Sequence, residues 1–157
     1  MTTIGRGEAA IRRSTREDLP AIERLLVESG LPTAGVAQML AADPASFVVA
    51  EANGTASDFA GVAGLEVCCD NALLRSVAVR PEWRGHGLGA DLVTRIVSDA
   101  ESRGIHALYL LTLTAERYFP RFGFERVERG EVPSEVAETV EFQSACPSTA
   151  AAMRRVL

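Results

Sequence analysis

The stretch RPEWRGHGLGADLVTRI, residues 80–96, places three glycines within five positions between an apolar segment and an amphipathic one. A glycine inside a regular element costs about 0.5–1 kcal/mol relative to alanine, so three together indicate that the backbone itself has a task there. The spacing of Gly85, Gly87 and Gly89 predicts a turn that joins a strand to a helix. We therefore expect an α/β protein in which helices pack on a sheet.

Length, charge and cysteine usage narrow the class of protein. The 157 residues are 47% hydrophobic and 24% charged, which fits a single globular domain, residues 1–157, with a buried core. The formal net charge of −5 argues against a general nucleic-acid binder, because affinity for phosphate backbones needs a positive field. Three cysteines without zinc-finger spacing predict no metal site. With no apolar run of about 20 residues and no apolar leader at the amino terminus, we expect a cytoplasmic protein with no membrane partner.

Hydrophobic periodicity predicts a mixed, mostly antiparallel sheet of about six to seven strands flanked by about four helices. Asp70 and Asn71 predict a hairpin turn, and NGTASD, residues 53–58, predicts another. The predicted strands are Ala9–Arg13, Ser46–Glu51, Phe59–Cys68, Leu73–Val79, Ala107–Leu113, Phe124–Glu128 and the terminal CPSTAAAMRRVL. The predicted helices are one after Thr15 with Leu19, Ile22, Leu25 and Leu26 inward, one at Val36–Ala42, one from the glycine turn to about Arg103 with Leu88, Leu92, Val93, Ile96 and Ala100 inward, and one at Ala115–Phe122.

The glycine turn has the features of an anion site. A strand, a glycine-rich turn and a helix amino terminus expose several backbone N–H groups at the positive end of a helix dipole, which suits a phosphate or pyrophosphate. Arg84 adds a charge that can pair with a phosphate oxygen. The Walker loop is excluded because no lysine follows these glycines, and the dinucleotide fingerprint is excluded because they alternate. A plain strand-to-helix connection stays open as the alternative.

The same stretch resembles the acetyl-CoA loop of the GNAT acetyltransferases, [Q/R]-x-x-G-x-[G/A], which follows a strand of the form L-x-V-x-P. Arg84, Gly87 and Gly89 stand at its fixed positions, and AERYFPRFGF is similar to that family's A-x-x-x-Y-x-x-x-G-F segment. The resemblance implies the GNAT fold, of class α/β (α+β), with acetyl-CoA as cofactor and its pyrophosphate at the glycines. The cofactor-binding residues that it implies are Val77, Ala78, Val79, Arg84, Gly85, His86, Gly87, Leu88, Gly89 and Phe119.

Three longer segments resemble one branch of GNAT proteins, which is encoded with arsenic-resistance genes. They are GLEVCCDNALLRSVAV, AERYFPRFGFERVERGEVP and EFQSACPSTA. Members of that branch acetylate the α-amino group of glutamate-like antibiotics such as arsinothricin and phosphinothricin. The resemblance implies a small-molecule amine as substrate and a role in antibiotic detoxification. GNAT relatives are often dimers, so a homodimer is one option.

Two charged residues of the predicted hairpin are candidates for the acceptor site. Glu66 is a lone carboxylate in the otherwise apolar GVAGLEV, which makes it the candidate general base. A two-residue turn at Asp70 and Asn71 would place it directly across from Arg75. Arg75 carries a planar fork suited to an acidic group of the acceptor, and a structural ion pair with Glu66 is the alternative. Ser76 and Thr112 complete the expected acceptor site.

The sequence differs from the family pattern at the residue that protonates the leaving thiolate. The tyrosine that many GNAT members use would fall at Phe119, and Tyr118 is its neighbour, about 100° away around a helix. We take Tyr118 as the candidate acid, with an aromatic anchor of the sheet as its other role and water as the other proton donor. Two other functions stay open: acetylation of a peptide amino terminus, polyamine or aminoglycoside, and an acyl-CoA-binding sensor without turnover.

Overall fold

The computed structural model describes residues 9–52, 55–145 and 149–157. Seven strands form one sheet in the order β1-β2-β3-β4-β5-β7-β6, and every neighbouring pair is antiparallel except β4 and β5. This architecture confirms the predicted fold class. The strands are β1 Ala10–Arg13, β2 Phe47–Ala52, β3 Thr55–Cys68, β4 Asn71–Val79, β5 Ala107–Thr112, β6 Glu125–Val127 and β7 Ala151–Val156.

Helices cover both faces of the sheet. Because successive residues of a strand point to opposite faces, each strand contributes apolar side chains to both layers of helices. On β2, Val48 belongs to the apolar cluster beneath α3, whereas Phe47 belongs to the cluster beneath α1 and α2. All five predicted inward positions of α3 are buried, and Val97 is buried as well; in α1, Leu19 is half-buried while the other three predicted positions are buried. The helices are α1 Leu19–Glu28, α2 Val36–Ala42, α3 Leu88–Ser102 and α4 Ser134–Ala137. Within the described ranges, no helix has the length and apolarity needed to cross a bilayer.

The hairpin between β3 and β4 turns one residue earlier than predicted. Its turn residues are Cys69, at a φ of +59°, and Asp70, while Asn71 already pairs with Cys68. Glu66 is therefore opposite Leu73 and not opposite Arg75, so the predicted pairing was wrong by two positions. A shift of two keeps both side chains on the same face of the sheet, where diagonal neighbours still reach each other.

Three other sequence predictions are corrected. Residues 55–58, predicted as part of the turn at 53–58, belong to β3, which begins at Thr55; positions 53 and 54 lie outside the described residues. Ala115–Phe122 is not an α-helix: only Phe119–Phe122 is helical, as a 3-10 turn, because Pro120 has no N–H to continue an α-helical ladder. The terminal strand begins at Ala151, and positions 146–148 of its predicted range lie outside the described residues.

The sheet opens between its two parallel strands. β4 and β5 pair at only three positions, from Asn71 with Ala107 to Leu73 with Tyr109, and then part. Just beyond, β4 carries a bulge against β3, where Ser76 has a φ of +59°. A bulge adds an unpaired residue and increases the local twist. The strands therefore separate toward their carboxyl ends and leave a cleft in the sheet.

Candidate active-site cleft

The cleft between β4 and β5 is a cavity of about 860 Å³. One wall is the carboxyl half of β4, and the other is the end of β5 with the loop that follows it. The segment after α1 and the glycine turn contribute to its rim. The residues that line it are 29–32, 74–79, 84, 89, 110–115, 118, 119 and 141.

The glycine turn presents bare backbone at the start of α3. Gly85 and Gly87 have φ values of +82° and +80°, the left-handed region that only glycine adopts freely, and Gly87 is the amino-terminal cap of the helix. A Cβ at either position would meet no atom within 4 Å, so these backbone groups face open space. Arg84 is exposed and donates from Nε to the carbonyl of Val79 at 3.0 Å. The turn therefore fits a pyrophosphate bound through N–H groups.

The predicted cofactor residues divide into three groups. Val77, Ala78 and Val79 of β4 line the cleft together with Arg84, Gly89 and Phe119. Gly85, His86 and Gly87 lie on the exposed turn. Leu88 is 2% exposed and packs into the core beneath α3, so its side chain anchors the turn.

Gly89 serves a different purpose from the two left-handed glycines. It lies in the first turn of α3 with no positive φ, and a Cβ there would stand 3.2 Å from the hydroxyl of Tyr118. The absence of a side chain lets the phenol lie against the helix amino terminus. The hydroxyl of Tyr118 therefore lies next to Gly89, a contact that the sequence alone does not predict.

Tyr118 lines the cleft as a protonated phenol. Its ring packs edge-on against the rings of Phe119 and Phe122, at centroid-to-centroid distances of 5.4 and 5.3 Å. The guanidinium carbon of Arg121 lies 4.4 Å from the centroid of the Tyr118 ring. Burial raises the pKa of the phenol, and Arg121 opposes this with a smaller effect. A phenol that stays protonated at neutral pH can donate its proton to a stronger base. Thr112, predicted for the acceptor site, lines the cleft and accepts a 2.9 Å hydrogen bond from the N–H of Ala115.

Arg75 lies at the opposite end of the cleft, and its guanidinium is engaged from several sides. Its side chain is 0% exposed. Nε donates to Ser76 Oγ at 3.1 Å, Nη2 to the carbonyl of Ala34 at 2.6 Å and Nη1 to Glu66 Oε1 at 3.2 Å. A Cβ on Gly35 would stand 3.1 Å from Nη1, so the start of α2 packs directly on the guanidinium. The fork expected to be open for an acceptor thus has partners within the protein.

Glu66 reaches Arg75 but does not line the cleft. Its side chain is 24% exposed and borders a separate cavity of about 410 Å³ beside α2, lined also by Met39 and Arg103. The predicted ion pair with Arg75 is confirmed, and it forms diagonally across the hairpin. The structure does not bring the Glu66 carboxylate together with Tyr118 and the glycine turn.

Glu141 is the cleft residue that sequence reasoning missed. It is 5% exposed, lines the cleft, and its Oε1 lies 3.5 Å from Arg75 Nε. The pKa of this carboxyl is raised, and burial is the largest cause. The positive charge of Arg75 lowers the pKa, and the negative charge of Glu66 raises it. Glu141 begins a π-helical turn, Glu141–Ala145, that has no apolar period to reveal it. The signal available in the sequence was a carboxylate immediately before Phe142, which is itself buried.

The sequence is similar to those of known acetyltransferases. Residues 43–126 match the family model described as acetyltransferase (GNAT) domain. An amino-acid acetyltransferase of Mycobacterium tuberculosis is 32% identical over 135 residues, covering 80% of this chain and 74% of that protein. An amino-acid acetyltransferase of Aeromonas salmonicida is 29% identical over 129 residues, which cover 79% of this chain. The chain spans only 28% of that longer relative.

Solved structures agree with the sequence relatives. Rv2747 from Mycobacterium tuberculosis, in complex with CoA and NLQ, superposes with a TM-score of 0.76 at 26% identity, covering 94% of this chain and 99% of that one. N-acetylglutamate synthase from Neisseria gonorrhoeae, complexed with coenzyme A and N-acetyl-glutamate, gives a TM-score of 0.77 at 23% identity. The second match covers 95% of this chain but 35% of the synthase, and it supports the fold alone.

Proposed function

The chain belongs to the GNAT family of acetyltransferase domains, and from this premise we propose that it transfers an acetyl group from acetyl-CoA to the α-amino group of a small amino acid. The observation that carries the proposal is the cleft between β4 and β5, which has the glycine turn at one end and a buried carboxylate at the other. The relatives named amino-acid acetyltransferase support the class of acceptor.

The residues of the cleft have separable tasks in this reaction. The backbone of Gly85 and Gly87 holds the pyrophosphate, with Arg84 beside it, and residues 77–79 of β4 guide the rest of the cofactor along the strand. Acetyl-CoA supplies a thioester carbonyl that the amine nitrogen attacks, so that a C–N bond forms, the C–S bond breaks and the sulfur leaves as a thiolate. Tyr118 donates the proton that this thiolate takes up.

The acceptor must enter as a neutral amine, because an ammonium has no lone pair. A carboxylate close to the acceptor nitrogen therefore serves the reaction. The hypothesis that Glu66 is this base stays a prediction, to be weighed against Glu141 below. Ser76 and Thr112 are proposed acceptor contacts through their hydroxyl groups, and Arg75 contributes by holding the carboxylates in position.

Within the amino acids, we propose acceptors that carry a second acidic group, such as glutamate, phosphinothricin and arsinothricin. The support is the resemblance of GLEVCCDNALLRSVAV and EFQSACPSTA to the arsenic-resistance branch, for which the natural role is detoxification of such antibiotics. A cytoplasmic location follows from that role and belongs to the same proposal.

The test is release of free CoA thiol from acetyl-CoA in the presence of single amines. We expect turnover with glutamate, phosphinothricin and arsinothricin, and little with spermidine, an aminoglycoside or a peptide amino terminus. Turnover confined to the last three would refute the amino-acid acceptor. Binding of CoA by calorimetry without thiol release for any amine would identify a sensor instead of an enzyme.

A further inference from the structure

Arg75 is held by two carboxylates that face different cavities. Glu66 binds Nη1 from the side of the small cavity beside α2, whereas Glu141 approaches Nε from the cleft. An arginine with 0% side-chain exposure needs a negative partner, because an uncompensated buried charge is strongly unfavourable. The hydrogen bond from Nη1 to Glu66 already supplies one. The second carboxylate therefore calls for a separate reason.

A purely structural role does not explain why a carboxylate is buried at position 141. It is almost completely buried, it lies at the longer of the two distances from Arg75, and no hydrogen bond to its carboxylate is found among the described residues. Buried carboxylates are normally satisfied by several donors. A carboxylate in a cavity wall that keeps free acceptor positions is suited to a cationic ligand.

We infer that Glu141, and not Glu66, is the carboxylate that receives the acceptor ammonium in the cleft and removes its proton, while Glu66 acts as a positioning residue through Arg75. This inference rests on the proposed function. It assigns a catalytic residue that lies outside the strands and the glycine turn, on the π-helical turn of residues 141–145.

The proton transfer is balanced within the site. One N–H bond of the acceptor ammonium breaks, an O–H bond forms on the Glu141 carboxylate, and the electron pair stays on nitrogen as the lone pair that attacks. The nitrogen loses its second proton after attack, and the thiolate gains one, so a single proton is released to solvent for each turnover. Glu141 returns its proton to water before the next cycle.

The surroundings of Glu141 raise its affinity for a proton. The charged groups that act on it are Arg75 on β4 and Glu66 on β3, and the phenol of Tyr118 lines the same cavity. Burial and Glu66 raise the pKa of the carboxyl, and Arg75 restrains this rise. Removing the charge of Glu66 should therefore lower the pKa of Glu141, so the pH profile of a Glu66 variant reports on the Glu141 carboxyl.

The experiment compares kcat/KM against pH for the parent, Glu141→Gln and Glu66→Gln, with the amino acid that the parent turns over best. We expect Glu141→Gln to lose roughly 10²–10⁴ in kcat/KM at neutral pH and to recover as pH rises, because solvent then supplies the free amine. We expect Glu66→Gln to keep an acid limb in its profile, shifted to lower pH. Glu51→Gln is the control: it removes one of two carboxylates from Arg12, outside the cleft, and should match the parent.

The outcomes separate the two carboxylates. If Glu66→Gln abolishes the acid limb while Glu141→Gln keeps it, Glu66 is the base and the inference is overturned. A folded Glu141→Gln that equals the parent at neutral pH also overturns it. Should Glu141→Gln fail to fold, the direction of the shift in Glu66→Gln decides alone. A parent that binds CoA but turns over no amine contradicts the proposed function, and not this assignment specifically.

Discussion

The glycine turn can be tested with a matched pair of substitutions. Gly87 at the start of α3 and Gly104 just after its end have φ values of +80° and +73°, and a Cβ at either would meet no atom within 4 Å. Alanine at either position thus suffers the same backbone strain and no collision with the protein. The two positions differ in that only Gly87 belongs to the proposed pyrophosphate site.

The expected loss of stability follows from that strain alone. A left-handed conformation costs a residue with a Cβ about 1–2 kcal/mol. Because 1 kcal/mol moves Tm by about 2–4 °C in domains of 150–250 residues, each variant should melt about 2–8 °C below the parent. Gly104→Ala should keep the parent's Kd for CoA. Gly87→Ala should weaken it by at least about tenfold, equivalent to about 1.4 kcal/mol, since its methyl group stands where a phosphate must approach the backbone.

Differential scanning fluorimetry supplies Tm, and isothermal titration calorimetry supplies Kd for CoA. Equal Kd values for Gly87→Ala and Gly104→Ala would refute the assignment of the turn to pyrophosphate, since strain would then be the entire effect. A much larger fall in Tm for Gly87→Ala than for Gly104→Ala would show that the methyl group at position 87 collides with the protein, contrary to the structure.

Three further predictions concern side chains that line the cleft. Tyr118→Phe should lower kcat by roughly 10²–10⁴ if the phenol protonates the thiolate, with Kd for CoA retained; a rate near that of the parent would assign this step to water. Arg75→Ala leaves the buried Glu141 without its cation, and should cost about 3–5 kcal/mol and roughly 6–20 °C in Tm by thermal melting. An unchanged Tm for Arg75→Ala would contradict the internal partners described for the guanidinium. Because burial holds the pKa of Glu141 above its unfolded value, the folded state binds more protons there, and this group's contribution to stability falls as pH rises through that range. Glu141→Gln should therefore melt at or above the parent at neutral pH, with the difference vanishing in acid; the opposite trend in Tm against pH would show that the ionised carboxylate stabilises the fold.

Elements with a strong hydrophobic period were the ones that the sequence predicted well. The bounds of α2, Val36–Ala42, are confirmed to the residue, and the inward positions of α3 are confirmed as a set. A helix that covers a sheet must bury every third or fourth residue, and that requirement is visible without coordinates. The glycine turn was equally visible, because its chemistry depends on residues that lack side chains.

Local turn chemistry and long-range contacts were less visible. Asp and Asn are common in turns, yet the hairpin turn uses Cys69 and Asp70, because the pairing of Cys68 with Asn71 fixes the register. The ion pair of Glu66 and Arg75 was nevertheless predicted, since the face of a strand is insensitive to a shift of two. Glu141 was not predicted, because residues 129–145 form only short helical segments, α4 among them, whose placement depends on tertiary packing.

The contacts of Arg75 also bear on how proteins of this kind can be recombined. One guanidinium contacts the chain at Ala34, Glu66, Ser76 and Glu141, four positions spread over more than a hundred residues. Ala34 contributes its backbone carbonyl, and the other three contribute side chains. Substitutions at Glu66, Ser76 and Glu141 should be strongly non-additive in double-mutant cycles, because each alters the partners left for the others. A graft that replaces the turn of residues 141–145 by that of a relative without a carboxylate at position 141 would leave the buried arginine with one partner fewer. Changes at residues 29–32 and 113–114, which line the cleft without contacting the guanidinium, are a safer route to a new acceptor preference.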